Sequence, residues 1–233
     1  MEERPIIFSA LLIPGLLDGS KTQTRRVIKP QPSCDCINPN WHGQIIDWKG
    51  WKYEGREGWF CYRCGSGLHA YDEWSSHGII CPYGQVGDRL WCKETWAIAR
   101  CTVGEYVDVM YKADQGMGRL QLKTVPWFEG LKLPKDCDIW HSGRFMPRWA
   151  SRILLEITEV RVERLQEITD ADAIASGASV FPLLTGVTLS GAPGLASARY
   201  AYLQFWDSLN AKRGYPWSMN PWPWVLAFRR VDA

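Results

Sequence analysis

The sequence predicts a mixed α+β protein that is mainly β, a small mixed or antiparallel barrel with short flanking helices. Three observations point there. Glycine (21) and proline (14) punctuate the 233 residues at short intervals, which leaves little room for long helices. Aromatic residues make up 13%, with 14 tryptophans, a composition that favours strands. Apolar and polar residues alternate over short runs, and strands joined by irregular connections argue against a doubly wound α/β fold. With 46% hydrophobic and 22% charged residues, the chain has enough apolar material for a core, and residues 1–233 read as one domain.

The elements follow in order. Ile6 to Phe8 is a short strand, and Ala10 to Leu17 gives a helical turn after a break at Pro14. Asp18-Gly19-Ser20 is a turn signal. The basic segment Lys21 to Arg26 leads into a short strand at Val27-Ile28, ended by Pro30 and Pro32. Residues 33–81 are polar, rich in Gly and Trp and without clear period, so they read as an insertion. Gly87-Asp88 opens a strand over Arg89 to Lys93, and Tyr106 to Ala113 holds another. Residues 114–140 read mostly as loop around Pro126 and Pro134. Arg152 to Arg164 is the clearest strand, with Ile153, Leu155, Ile157, Val160 and Val162 among polar residues. Thr169 is an N-cap, so a helix runs from Asp170 to Ser176 and stops at Gly177. Residues 178–197 are small and Gly-rich, a flexible loop. Ala198 to Asn210 is a helix with Tyr202, Phe205, Trp206 and Leu209 on one face. Asn220 to Trp224 is structural, its prolines fixing the approach to a last strand, Trp224 to Val231.

Net charge is only +2, so any basic surface is local. No run reaches the roughly 18 apolar residues of a membrane span, and Met1-Glu2-Glu3-Arg4 does not start a signal peptide. A cytoplasmic protein is expected, whose eight cysteines are thiols or metal ligands rather than disulfides. Cys34 and Cys36, with Cys61 and Cys64, form two close pairs that supply a tetrahedral zinc site. His42, His69 or Cys81 are alternatives for one ligand. Four thiolates leave no open position, so the zinc is structural. Cys92, Cys101 and Cys137 read as core residues or ordinary thiols.

Lys21-Thr22-Gln23-Thr24-Arg25-Arg26 packs three cations and two hydroxyls into six residues. As a strand it sends Lys21, Gln23 and Arg25 one way and Thr22, Thr24 and Arg26 the other; as a turn it brings Lys21 and Thr24 together. A desolvated lysine beside a hydroxyl acts as base or nucleophile, while the same residues in water are a solvated basic face. Arg25, Arg26, Lys29, Lys93, Arg148 and Arg152 are candidates for a phosphate-binding patch. Trp91, Trp96 and Trp149 are either core or base-stacking rings. Arg25 and Arg26 have a further option, pairing with Asp88 or Glu94.

Gly19 to Arg26, then Gly87-Asp88-Arg89-Leu90-Trp91, then the strand and helix of residues 152–177, resembles the ASCH-domain family. These are PUA-like β-barrels related to RNA-binding modules. Cys81-Pro82-Tyr83-Gly84-Gln85, Met146 to Arg152 and Asn220-Pro221-Trp222 resemble segments of its phage and prophage branch. The resemblance covers most of the chain outside residues 33–80 and 178–197. It implies a barrel pocket for RNA or a modified nucleoside; Arg25, Lys93, Trp96, Arg148, Trp149 and Ser176 are the candidate binding residues of this chain. It implies either an amidohydrolase acting on acylated cytidine or a ribonuclease, with Lys21 and Thr24 catalytic and Arg26 or a backbone N–H on the oxyanion. The family's catalytic glutamate falls on Ser176, which is no base; Asp172 and Glu94 are the carboxylates offered in its place. A non-catalytic nucleic-acid-binding module is the alternative. So is a phage inhibitor or adaptor that meets a host protein through residues 33–81 and 178–197.

Overall fold

The computed structural model describes residues 1–29, 31, 50–53, 56–59, 81–118, 120–134, 139–178 and 198–231. Its elements are β1 (Glu3–Ile7), α1 (Ile13–Leu17), β2 (Gln23–Val27), β3 (Gly50–Tyr53), β4 (Arg56–Trp59), β5 (Arg89–Lys93), β6 (Trp96–Thr102) and β7 (Tyr106–Tyr111). They continue with α2 (Lys112–Gly116), β8 (Lys123–Pro126), β9 (Leu154–Val162), α3 (Asp170–Ala175), α4 (Ala198–Asn210) and β10 (Pro223–Val231). The class is mixed α+β with strands predominating, as the sequence predicts. Contacts divide the chain into two compact units: Met1–Thr22, Gly87–Ile157 and Phe228–Ala233 in the first, Gln23–Val86 and Thr158–Ala227 in the second. The strand order of the larger sheet is β1-β5-β9-β10-β2.

In the first unit β1 runs parallel to β5, from Glu3 opposite Arg89 to Ile7 opposite Lys93. The start of β9 lies antiparallel on the other side of β5, with Glu156 opposite Arg89. Along β5, Leu90 and Cys92 are buried while Arg89, Trp91 and Lys93 stay half-buried on the opposite face. A separate antiparallel sheet, β6-β7-β8, packs Trp96, Ile98, Val107, Val109, Tyr111 and Val125 with Met146 and Ala150. In the second unit β2 lies antiparallel to β10, with Thr24 opposite Leu226 and Arg26 opposite Trp224. There α4 buries Ala201, Tyr202 and Trp206, and leaves Leu209 exposed.

Strands β6 and β8 lie in stretches where the sequence predicts no strand. Trp96, Ala97 and Ile98 are buried in succession, so β6 shows no alternation at its start. β8 has four residues and ends on Pro126. Pro14 does not break a helix either. It stands in the first turn of α1, where a missing N–H costs nothing. β2 begins at Gln23 rather than Val27, so four of the six residues of the basic segment are strand and only Lys21 and Thr22 precede it.

Of the insertion 33–81, the backbone of the β3–β4 hairpin is described, with Gly50 opposite Trp59 and Tyr53 opposite Arg56. Cys34, Cys36, Cys61, Cys64, His42 and His69 lie outside the described residues, as do Cys137 and residues 179–197. Among the described residues no helix is long and apolar enough to cross a membrane.

Candidate functional site

Lys21 is set by the turn before it. Gly19 adopts φ +79°, and the Ser20 amide donates to Asp18 Oδ1 at 2.8 Å. The Lys21 amide then donates to the Gly15 carbonyl at 2.8 Å. A Cβ on Gly15 would stand 3.1 Å from that of Lys21, so a glycine is what admits the approach. Lys21 ends 3% exposed, its ammonium 5.5 Å from the Phe8 ring centre. Thr24 is buried in β2. Arg26 is half-buried, and its charge partly offsets the upward push of burial on the Tyr83 phenol, to which Cys81 adds.

Arg25 is enclosed completely, within the second unit. Its Nε and Nη2 donate to Glu163 Oε1 at 3.1 and 2.6 Å, and its Nη1 donates to Ser176 Oγ at 3.0 Å. Asp172 Oδ2 lies 3.6 Å from Nη2, and the guanidinium sits 5.9 Å from the Tyr202 ring centre. Arg161 backs this group, reaching Glu163 at 3.0 Å, Asp172 at 3.3 Å and Glu159 at 3.0 Å. Burial raises the Asp172 carboxyl, but the Thr169 hydroxyl, the charges of Arg25 and Arg161 and a bond from Gln23 outweigh it. Asp172 therefore lies below the usual aspartate range. Arg25 thus pairs with Glu163 and Asp172, not with Asp88 or Glu94. Ser176 is buried, and its hydroxyl accepts from Arg25.

Glu94 belongs to a second cluster, within the first unit. It follows β5, its amide donates to Met146 Sδ at 3.3 Å, and a Cβ on Gly143 would come 3.0 Å from its carbonyl. The carboxylate, 1% exposed, takes Arg152 Nε and Nη2 at 3.0 and 3.1 Å. Arg152 Nη1 donates to Asp114 Oδ2 at 2.9 Å, and Asp114 Oδ1 makes a 2.8 Å ion contact with Nη2 outside hydrogen-bonding geometry. The guanidinium lies 3.8 Å over the Tyr111 ring, whose hydroxyl donates to the Ala150 carbonyl at 2.8 Å. Burial pushes the Glu94 carboxyl above its ordinary value; Arg152 opposes this and Asp114 adds to it. Burial likewise pushes the Tyr111 phenol up.

Trp96 is 2% exposed and meets Trp149 edge-on at 5.7 Å and His141 at 5.4 Å, so its ring is a core element. Lys93 Nζ donates to the Arg144 carbonyl at 2.7 Å and lies 5.3 Å from the Trp91 ring centre. Arg148 Nε donates to Glu3 at 2.7 Å, and Lys29 lies 5.0 Å from the Tyr215 ring centre. The sequence reading named neither Glu163, Arg161, Asp114 nor Tyr111 as partners. One signal was present: Glu159, Arg161 and Glu163 recur every second residue, as one strand face requires. Nothing local marks Asp114. Comparison with protein-family models, curated proteins and solved structures returns no match for the chain.

Proposed function

We propose that the chain is an ASCH-type, PUA-like nucleic-acid-binding module that takes RNA or a modified nucleoside without turning it over. The observation that carries this reading is the engagement of each group offered for the missing base. Ser176 accepts from Arg25, Asp172 is held by Thr169 and Arg161, and Glu94 is held bidentately by Arg152. A general base has to reach its substrate's proton, and Glu94 and Ser176 are only 1% and 2% exposed, while each Asp172 oxygen already takes a donor. The test incubates the parent and Lys21→Ala with acylated cytidines and with single-stranded RNA, following products by mass spectrometry and binding in parallel. Binding without product is expected. Product from the parent, lost in Lys21→Ala, would overturn the reading in favour of a hydrolase. One observation favours that second reading: the enclosure of Lys21 beside Phe8 removes an amine from water, as a nucleophilic lysine requires.

The proposal includes a structural zinc held by Cys34, Cys36, Cys61 and Cys64. Elemental analysis of the purified chain is expected to find about one zinc per molecule, lost in Cys61→Ser/Cys64→Ser.

A further inference from the structure

The half-exposed face of β5 carries Arg89, Trp91 and Lys93 at every second residue. Same-face residues on a strand recur about every 7 Å, a spacing on the scale of an extended nucleic-acid backbone. Lys93 ties this row to the helical turn Gly143–Phe145 through the Arg144 carbonyl, and there Phe145 is 73% exposed. At the other end, Glu3 stands opposite Arg89 and is held by Arg148. The Glu3 carboxyl lies below its ordinary range, chiefly through that hydrogen bond, with the charge of Arg89 adding. Glu156, the other neighbour of Arg89, is taken by Arg229 at 2.9 Å.

Charge accounting on this face leaves an excess. Glu3 and Glu156 each have an arginine of their own. Arg89, Lys93 and Arg144 have no carboxylate partner among the described residues, and Arg89 Nε has no acceptor there. Two cations on this strand face and a third on the adjoining turn, none in an ion pair among the described residues, stand out in a chain whose net charge is +2. An acidic protein surface would be met by the cations alone. The half-buried Trp91 ring on the strand and the exposed Phe145 ring on the turn that Lys93 reaches add a feature that suits unpaired bases, whose flat faces stack, with phosphates held alongside.

We propose that single-stranded RNA lies along this face, its bases stacking on Trp91 and Phe145 and its phosphates meeting Arg89, Lys93 and Arg144. The proposal rests on the RNA-binding reading above and places the contact on an open strand face rather than in a pocket around Lys21. It is tested by fluorescence anisotropy of the full chain with labelled single-stranded oligouridine across a salt series. Trp91→Ala is expected to weaken binding roughly tenfold, and Trp91→Phe to restore most of it. Phe145→Ala, at a position too exposed to matter for folding, is expected to weaken it severalfold. The triple variant Arg89→Ala/Lys93→Ala/Arg144→Ala is expected to flatten the slope of log affinity against log salt by about two. Lys212→Ala/Arg213→Ala, on an exposed turn, serves as the charge control. If the parent binds the oligonucleotide and these face variants bind as well as it does, this surface is wrong while the RNA-binding reading stands. If the parent binds no single-stranded RNA, this surface fails together with the RNA half of the reading, and only nucleoside binding is left. Equal affinity for duplex, untouched by Trp91→Ala, would overturn the stacking and leave an undirected polyanion surface.

Discussion

Arg152 and Arg25 are each enclosed and each set between two carboxylates, but their surroundings differ. Arg152 faces Glu94 and Asp114, both 1% exposed, and no second cation reaches them among the described contacts. Arg25 faces Glu163 and Asp172, whose side chains are 17% and 21% exposed, and Arg161 shares both. Hydroxyls of Thr169 and Ser176 complete the second group, while the face of Tyr111 completes the first. The number of cations and donors, and access to water, decide the ionisation of a buried carboxylate. With one guanidinium for two enclosed acids, burial wins and Glu94 is pushed up. With a second guanidinium, hydroxyl donors and some water, Asp172 is drawn down.

Arg152→Ala leaves two carboxylates buried without a cation, and a loss of about 3–5 kcal/mol is expected in urea unfolding. Arg25→Ala is expected to lose less, about 2–3 kcal/mol, because Glu163 and Asp172 keep Arg161 and reach water. Equal losses would show that exposure of the carboxylates is not what separates the clusters. Arg161→Ala gives the second cluster the one-cation stoichiometry of the first. It is expected to cost about 1.5 kcal/mol by thermal unfolding and to move the Asp172 carboxyl upward, read by NMR titration. Thr169→Ala removes the N-cap of α3 and the 2.9 Å bond to Asp172, for a loss of about 1 kcal/mol.

Local pattern carried part of this architecture and long-range pairing the rest. The period-2 run of β9, the Thr169 cap with Gly177 at φ +95°, and the apolar face of α4 are encoded by neighbours in sequence, and each was readable there. The partners of the two arginines were not. Arg25 meets residues 138 and 151 positions away, and Arg152 meets one 58 positions away; no local spacing foretells them. Trp96 illustrates the limit for single residues. Nothing in its neighbours separates a stacking platform from a core ring, and only the packing of Trp149 and Met146 makes it core. Ser176 is a further case, because nothing near it in sequence foretells that its hydroxyl accepts from Arg25.

The smallest effect is also the sharpest, because it depends on sign. Asp172 lies below its ordinary value near 3.8, so its contribution to stability is complete above that pH and is lost as pH falls through the folded-state value. Glu94 lies above its ordinary value near 4.5, so its contribution is complete below that pH and is lost as pH rises through the folded-state value. The stability difference between the parent and Asp172→Asn should therefore grow with rising pH on the acid side of 3.8. The difference between the parent and Glu94→Gln should shrink with rising pH on the alkaline side of 4.5. Chemical unfolding at a series of pH values reads both slopes. Opposite signs bear out the contrast between one guanidinium and two; slopes of the same sign would mean that the two clusters hold their carboxylates in the same way.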